Sequence, residues 1–241
     1  MILFSDFDKT FYLKDDEEKT RANFEAVKKW RAAGHQFCIT TGRSYSSVSR
    51  RLPKIKEICD YYIVDSGSIV LSDSGEILHT FYFDQEVVDG IVKLSKSFPE
   101  EPVPIYYTPD YEGMVHKRKD VTKLRLWFKD LGLLEEAAKQ TESAFPVSAF
   151  PQPASHKELV GYRGFIEIIP KKYGKSNAIK VLQKDKKLPV KDVITVGDGL
   201  NDYNMVRGFD GYAIKGSVLS GLDKNLDVAV SVASLINKLL S

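Results

Sequence analysis

The sequence predicts an α/β protein with a Rossmann-like parallel sheet at its core and an inserted α+β domain. Over the first 64 residues, short apolar runs alternate with helical patterns, which is typical of parallel strands joined by right-handed crossovers. The alternation stops and then resumes near residue 165. Seven of the ten prolines lie in the intervening stretch and indicate many turns and sheet edges there.

The first part of the core has three predicted strands and two predicted helices. The strands are expected where nearly every residue is apolar, as in buried parallel strands, at residues 1–4, 37–39 and 61–64. A helix is predicted at about residues 18–33, where Gly34 stops the pattern. A second helix is predicted at about residues 46–58, and Pro53 should break it.

The middle of the chain predicts shorter elements. Residues 68–83 are expected to form a hairpin with its turn at residues 72–75, which are Ser, Asp, Ser and Gly. Two helical patterns cover residues 85–98 and 133–143, and residues 123–128 are typical of a strand. This mixture indicates an inserted α+β domain.

The last part of the chain returns to the alternation of the first part. Strands are predicted at residues 165–169, 193–196, 212–214 and 228–230, and helices at about residues 176–183, 202–207 and 234–240. The core domain is therefore expected to combine residues 1–83 with residues 164–241. The inserted domain is expected to cover residues 84–163.

Composition and charge exclude several classes of function. Hydrophobic residues make up 43% of the 241 residues and charged residues 28%, which is ordinary for a folded globular protein. The 35 basic and 33 acidic residues nearly balance, so no nucleic-acid partner is indicated. No apolar run approaches the ~18–20 residues that span a membrane, so no membrane partner is expected.

The amino terminus and the cysteines predict a cytoplasmic protein. The first ten residues lack a basic segment and contain Asp6, so they do not resemble a signal peptide. Cys38 and Cys59 lie in or beside apolar stretches and are expected to be buried free thiols in a reducing compartment. We expect a monomer or a weak homodimer.

Polar residues follow the predicted parallel strands at the points where the strands end. Asp6 and Asp8 follow the first strand, Thr41 follows the second, and Asp198 follows a late strand. Lys175 opens a helix in the second half of the core. Ligands of open parallel sheets bind at the carboxyl ends of the strands, so these groups are expected to converge on one edge.

The residue types in this group fit one kind of chemistry. Neighbouring carboxylates repel each other unless a cation or a proton lies between them. Carboxylates without a nearby His or Cys suit a hard cation, and Mg²⁺ with water and phosphate is the natural occupant. Thr41, the Gly42 amide and Lys175 supply donors and positive charge for phosphate oxygens. The group therefore predicts phosphoryl transfer.

At these positions the sequence resembles the haloacid dehalogenase-like superfamily. In chain order, the four motifs of that superfamily are matched by Asp6-Phe7-Asp8-Lys9-Thr10, by Thr41-Gly42-Arg43, by Lys175 and by Gly197-Asp198-Gly199-Leu200-Asn201-Asp202. The forms of the second and fourth motifs resemble those of the Cof-like phosphatases. The long insertion falls between motifs two and three, which in this superfamily implies a cap domain of the second type.

The resemblance implies a catalytic role for each motif. Asp6 would be the nucleophile that forms an aspartyl-phosphate, and Asp8 would protonate the leaving alcohol and then activate water. Mg²⁺ would be held by the Asp6 carboxylate, the Asp8 carbonyl and Asp198. The transferring phosphoryl group would be bound by Thr41, Gly42, Lys175 and Asn201. Asp202 would hold metal-bound water or orient Lys175.

Several positions leave alternatives open. Arg43 is expected either to contact the substrate or to pair with a surface acid. The superfamily usually has Gly where Lys9 stands, and Cof-like proteins often have Asn where Ser66 stands, so any contact made by that Asn is in doubt. The aromatic residues of the insertion (Tyr106, Tyr107, Tyr111 and Trp127) fit a small core or a substrate contact, and the basic run at residues 116–119 fits a solvated turn or an anion contact.

The resulting prediction is a phosphoric monoester hydrolase. It would be a Mg²⁺-dependent phosphatase that acts on small phosphorylated metabolites, including sugar phosphates, through an aspartyl-phosphate intermediate. The alternatives are a phosphomutase of the same fold and a non-catalytic protein that binds a phosphorylated ligand.

Overall fold

The computed structural model describes residues 1–109, 119–154 and 159–241. The chain divides into two compact units, which we call the core unit (Met1–His79 with Lys175–Ser241) and the inserted unit (Thr80–Gly174). The strands, in chain order, are β1 (Ile2–Ser5), β2 (Gln36–Thr40), β3 (Tyr61–Val64), β4 (Ile69–Ser72), β5 (Ile77–Thr80), β6 (Val103–Tyr107), β7 (Lys123–Phe128), β8 (Val147–Pro153), β9 (Gly164–Pro170), β10 (Val193–Gly197), β11 (Asp210–Ile214) and β12 (Asp227–Ala229).

The helices alternate with the strands of the core unit and pair up in the inserted unit. In chain order they are α1 (Glu17–Ala32), α2 (Tyr45–Arg51), α3 (Gln85–Ser95), α4 (Leu134–Ala144), α5 (Lys175–Asp185), α6 (Tyr203–Gly208), α7 (Val218–Leu222) and α8 (Val232–Leu240). Short 3-10 helices occur at Pro53–Glu57, Asp65–Gly67, Leu131–Leu133, Val190–Asp192 and Leu200–Asp202.

The large sheet has the strand order β12-β11-β10-β1-β2-β3-β4-β5. The pairs from β12 to β3 are parallel, which confirms the predicted parallel core. Strand β1 is central, with Ile2 opposite both Val193 of β10 and Gln36 of β2. All four residues of β1 are buried, as expected of a strand covered on both faces. Strand β4 turns back on β3 as an antiparallel neighbour, which the sequence did not predict.

Helix α1 shows why the predicted crossovers form. Asp16 caps the helix by accepting a hydrogen bond from the Lys19 amide, and Val27 and Trp30 are buried on its inner face. Beyond the helix, Gly34 adopts a φ of +82°, a conformation that glycine reaches at little cost. The chain then enters β2 directly beside β1.

The inserted unit has an antiparallel sheet with the order β6-β7-β9-β8. One face of this sheet packs against α3 and α4 through alternate apolar residues, among them Leu124, Leu126, Ile166 and Ile168. The opposite face includes Ile105, Trp127 and Phe165 in a second apolar cluster. Both faces are therefore apolar over much of their area.

The predicted domain boundaries need correction. They were expected at 83/84 and 163/164, whereas the structure divides the chain at 79/80 and 174/175. Strand β9, predicted as a strand of the core, pairs instead with β7 and β8 in the inserted unit. All seven of its residues are buried, and β9 is an inner strand between β7 and β8. Its continuous apolar pattern therefore matches that of a parallel core strand.

Two other sequence expectations concern burial and membranes. Cys38 and Cys59 are free thiols inside the core unit, as predicted. Among the described residues, no helix combines the length and the apolar character that crossing a bilayer requires.

Candidate active site

The predicted site residues of the core unit lie at the carboxyl ends of its central strands. Asp6 directly follows β1, and its amide donates to the Val196 carbonyl of β10 at 2.9 Å. The Thr41 amide donates to the Ile63 carbonyl of β3 at 2.8 Å. Asp198 follows β10. Because β10, β1 and β2 are adjacent and parallel, Asp198, Asp6 and Thr41 lie along one edge of the sheet.

Three carboxylates form an acidic cluster at this edge. Carboxylate oxygens of Asp6, Asp198 and Asp202 lie within 4.8 Å of one another. The buried Lys175 ammonium, at the first residue of α5, donates to Asp6 Oδ1 and to Asp202 Oδ1, each at 2.6 Å. Thr10 donates its hydroxyl to Asp198 Oδ1 at 3.0 Å. We refer to Asp6, Asp198, Asp202 and Lys175 as the acidic cluster.

Within the acidic cluster, Asp202 has a supporting arrangement. Its Oδ2 accepts hydrogen bonds from the amides of Asp198 at 3.1 Å and Gly199 at 3.0 Å, while its Oδ1 accepts from Lys175. Both oxygens therefore have donors from the protein itself. This arrangement is consistent with Asp202 orienting Lys175, which was one of the two roles considered for Asp202.

The pKa values in the cluster shift because negative charges are buried close together. Burial raises the pKa of Asp6 well above its usual value; Lys175 opposes this, and the charges of Asp202 and Asp198 add to it. Burial and the charge of Asp202 raise the pKa of Asp198. Burial alone would lower the pKa of Lys175, but the carboxylates of Asp202 and Asp6 raise it above its usual value.

The donor set fits a divalent cation. Three carboxylates face one ammonium group, so the fully ionised cluster retains two negative charges. Burial is the main cause of the raised pKa values of Asp6 and Asp198, and repulsion from the neighbouring carboxylates adds to it. All the acidic ligands are oxygen atoms, as Mg²⁺ prefers. Since Asp202 is occupied by Lys175 and two amides, Asp6 and Asp198 are the carboxylates available to a metal ion.

The Asp8 carboxylate is not part of the acidic cluster. It accepts two hydrogen bonds from the Arg43 guanidinium, from Nε to Oδ2 at 2.5 Å and from Nη2 to Oδ1 at 2.8 Å. Arg43 thus pairs with an acid, as one of the two sequence alternatives held. That acid, however, is the one predicted to transfer protons, not an unrelated surface residue.

The remaining predicted phosphate-binding residues line the same edge. The Thr41 hydroxyl oxygen accepts a hydrogen bond from the Arg43 amide at 3.1 Å, which leaves the hydroxyl hydrogen available as a donor. Gly42 is half-buried in the loop after β2, and Asn201 is half-buried in the 3-10 helix that follows β10. A Cβ at Gly199 would lie 2.7 Å from Asn201 Oδ1, so the Asn201 side chain folds closely over this backbone.

Thr10 belongs to the first motif, but no role was predicted for it. Its hydroxyl is buried and bonded to Asp198, so it orients a cluster carboxylate across 188 positions of the chain. The spacing Asp-x-Asp-x-Thr was the available signal. Lys9, between the two polar residues, adopts a φ of +62°.

The aromatic residues predicted for the inserted unit have different surroundings. Tyr106 and Trp127 are buried in its two apolar clusters, which is the core alternative. Tyr107 is half-buried and packs against the cationic groups of Lys123 and Arg125. Tyr111 and residues 116–118 of the basic run lie outside the described residues.

Comparison with known proteins identifies relatives that match most of the chain. A family profile described as haloacid dehalogenase-like hydrolase matches residues 3–122 and 110–215. An uncharacterized protein of Mycoplasma capricolum is 26% identical over 232 residues, covering 86% of this chain and 87% of that protein. A Haemophilus influenzae protein whose name includes the word phosphatase is 25% identical over 216 residues, covering 81% and 76%.

Solved structures share the fold over nearly the full length. A haloacid dehalogenase-like hydrolase from B. subtilis superposes with a TM-score of 0.79 at 17% identity, covering 99% of both chains. A phosphatase of that superfamily from Bacteroides thetaiotaomicron gives 0.79 at 17% identity, covering 99% and 93%. A structure described as a subclass IIB sugar phosphatase gives 0.76 at 17% identity, covering 99% and 97%. At this identity, these likenesses establish the fold.

Proposed function

Because the chain belongs to the haloacid dehalogenase-like hydrolases, we propose that it is a Mg²⁺-dependent phosphatase of small phosphorylated metabolites. The observation that carries the proposal is the acidic cluster. It places a buried carboxylate, Asp6, against an ammonium group at 2.6 Å and beside an oxygen-ligand site for a cation. These are the groups that nucleophilic attack on a phosphate ester requires.

In the proposed reaction, Asp6 attacks the phosphorus atom of the ester. A bond forms between an Asp6 carboxylate oxygen and phosphorus while the bond from phosphorus to the alcohol oxygen breaks. Lys175, held by Asp202, keeps a positive charge beside Asp6 and the phosphoryl oxygens. The Thr41 hydroxyl and the Gly42 and Asn201 groups contribute neutral donors at the same edge.

Asp8 moves the proton in both halves of the reaction. As the acid, it gives its proton to the leaving alcohol oxygen. As the base, it then takes a proton from the water that attacks the aspartyl-phosphate, which releases inorganic phosphate and restores the Asp6 carboxylate. Its side chain is 41% exposed, so it can reach both the alcohol and incoming water.

The proposed Mg²⁺ would be held by the Asp6 carboxylate, the Asp8 carbonyl and Asp198. When bound, it would offset the repulsion among the carboxylates and neutralise phosphoryl charge. Thr10 orients Asp198 for this role through its 3.0 Å hydrogen bond.

The proposed substrates are small, with sugar phosphates first among them. The inserted unit lies in the chain between Arg43 and Lys175, and we propose that it is a cap that admits small esters only. The name of the subclass IIB sugar phosphatase, a structural neighbour, supports the choice of sugar phosphates. A cap of this kind predicts that a phosphorylated peptide is hydrolysed far more slowly than a small ester.

The test is phosphate release from a panel of sugar phosphates, an aryl phosphate and a phosphopeptide, with Mg²⁺ or with EDTA. Asp6→Asn should remove turnover, and the matched control Asp15→Asn, at an exposed carboxylate, should retain it. Activity that persists in Asp6→Asn would exclude Asp6 as the nucleophile. Full activity in EDTA would exclude the metal requirement, and rapid hydrolysis of the phosphopeptide would exclude the cap role.

A further inference from the structure

Arg43 forms a two-point contact with the Asp8 carboxylate. The guanidinium donates from Nε and from Nη2, one bond to each carboxylate oxygen, at 2.5 and 2.8 Å. A planar guanidinium bonded in this way fixes the plane of a carboxylate as well as its position. Within the described residues, the side-chain hydrogen bonds of Asp8 come from Arg43 alone.

Arg43 is itself held on its other sides. Its third guanidinium nitrogen, Nη1, donates to Ser47 Oγ at 3.3 Å, in the first turn of α2. Its amide donates to the Thr41 hydroxyl oxygen, and its carbonyl accepts from the Asp65 amide at 2.9 Å. Arg43 is therefore anchored to α2 and to the loops at the strand ends, while its Nε and Nη2 face Asp8.

Asp8 needs such support, because little else restrains its side chain. Its carboxylate is 41% exposed, whereas the Arg43 side chain is 25% exposed. An exposed aspartate without a fixed partner samples several rotamers. Proton transfer requires the donor oxygen to lie within hydrogen-bond reach of the leaving oxygen, and small misplacements reduce the rate strongly.

We propose that Arg43 is a positioning residue that holds the Asp8 carboxyl group in place to protonate the leaving alcohol, an inference that rests on the proposed phosphatase function. The two bonds to Arg43 use one lone pair on each oxygen of Asp8. Each oxygen keeps a second lone pair that can carry the transferred proton. Arg43 acts through Asp8 and touches neither the reacting phosphorus nor the alcohol.

The role predicts a dependence on the leaving group. In the first transfer, an alkyl ester releases an alkoxide-like oxygen that must receive the Asp8 proton as its bond to phosphorus breaks. A nitrophenolate is stable as an anion and leaves with little need of that proton. Removing the Arg43 guanidinium should therefore slow phosphoryl transfer from an alkyl ester more than phosphoryl transfer from a nitrophenyl ester.

The experiment measures kcat/KM, which reports the steps up to alcohol release, for glycerol phosphate and for para-nitrophenyl phosphate. It compares wild type, Arg43→Gln, Arg43→Lys, Asp8→Asn and the control Arg51→Gln, at the exposed last residue of α2. We expect Arg43→Gln to lower the alkyl value by about 10–100-fold and the aryl value by less than about 3-fold. Arg43→Lys should fall between wild type and Arg43→Gln, and Asp8→Asn should show the same pattern more strongly.

The ratio of the two kcat/KM values makes the outcomes separable, because partial unfolding lowers both values equally. An equal loss for both esters with a raised KM would overturn the inference and make Arg43 a substrate-binding residue. An unchanged ratio in Arg43→Gln would also overturn it while leaving the phosphatase function intact. Absence of hydrolysis by wild type of these two esters and of every sugar phosphate in the panel would instead refute the proposed function, and this inference with it.

Discussion

The two units each bury charged side chains, but they do so in different ways. In the core unit, Asp6, Asp202 and Lys175 are buried at the ends of parallel strands, with the half-buried Asp198 beside them. In the inserted unit, Lys123 and Glu167 are 1% and 2% exposed on the face of an antiparallel sheet, and Arg125 donates to Glu167 Oε2 at 3.0 and 2.7 Å. The charged group of the core unit therefore lies at the ends of strands, and that of the inserted unit lies on the face of a sheet.

The environments of the two groups differ accordingly. The charges on the inserted unit's sheet are of opposite sign and cross-strand neighbours, since Arg125 lies opposite Glu167 in the pairing of β7 with β9. The Lys123 ammonium also packs on the ring of Tyr107. The Arg125 guanidinium packs on the ring of Phe165. The core unit instead gathers like charges, and this costs stability unless a cation is bound. We therefore expect the repelling charges of the core unit to serve the proposed binding and chemistry, and the paired charges of the inserted unit to stabilise its fold.

The largest expected effect is on the core unit's chemistry. Asp6→Asn removes the proposed nucleophile and should lower turnover by at least about 10⁴-fold, the scale found when a nucleophile is removed. The fold should remain, because the substitution also removes one charge from a repelling cluster. Steady-state kinetics and circular dichroism measure the two effects. Loss of folded structure in this variant would mean that the acidic cluster also holds the fold together.

The next effect should appear in the inserted unit and be one of stability. Glu167→Gln leaves the buried Lys123 and the half-buried Arg125 without their carboxylate, which should cost about 3–5 kcal/mol of unfolding free energy. The control Glu135→Gln, at an exposed position, should cost little. Urea unfolding measures the difference. Unchanged stability combined with a changed substrate preference would reverse the comparison and make this cluster functional.

The metal requirement gives a smaller effect of opposite sign in the core unit. Asp198→Asn removes one of the like charges, so without Mg²⁺ it should stabilise the protein by about 1–3 kcal/mol at an effective dielectric constant near 20. Mg²⁺ should raise the thermal unfolding temperature of wild type and of Asp15→Asn, but hardly that of Asp198→Asn. Equal Mg²⁺ shifts in all three proteins would place the cation elsewhere.

The accuracy of the sequence predictions follows from how local each feature is. Strand β3 and strand β7 were predicted at their observed bounds, since a run of four to six residues carries the signal. The order of polar strand ends indicated the acidic cluster because parallel strands bring their carboxyl ends together. Resemblance to known motifs then supplied the expected roles.

The features that were missed depend on contacts between distant residues. Assigning β9 to the wrong sheet reflects an apolar pattern that both kinds of sheet share. The pairing of Arg43 with Asp8 joins residues 35 positions apart and depends on side-chain rotamers. The pairing of Arg125 with Glu167 depends on strand register, which no local pattern specifies.

The smallest effect concerns backbone strain, and here too the two units differ. Four non-glycine residues of the core unit have a positive φ: Lys9 after β1, Asp65 and Ser66 after β3, and Lys187 after α5. In the described part of the inserted unit, Asp120 is the one such residue. Strain of this kind persists where surrounding structure imposes it, commonly at functional sites. The surrounding structure imposes the positive φ of Lys9, because the Lys9 amide donates to the Tyr12 carbonyl at 2.9 Å and closes a tight turn after Asp8.

Lys9→Gly should therefore stabilise the protein by about 1 kcal/mol, since glycine adopts a φ of +62° without the steric cost that a Cβ incurs. The control Lys14→Gly, at a residue outside the positive-φ region, should gain nothing and lose a little through chain entropy. Urea unfolding at fixed Mg²⁺ concentration compares the two. A loss of stability in Lys9→Gly would show that the Lys9 side chain contributes more through its charge near Asp198 than its backbone costs, so the turn would belong to the electrostatics of the acidic cluster.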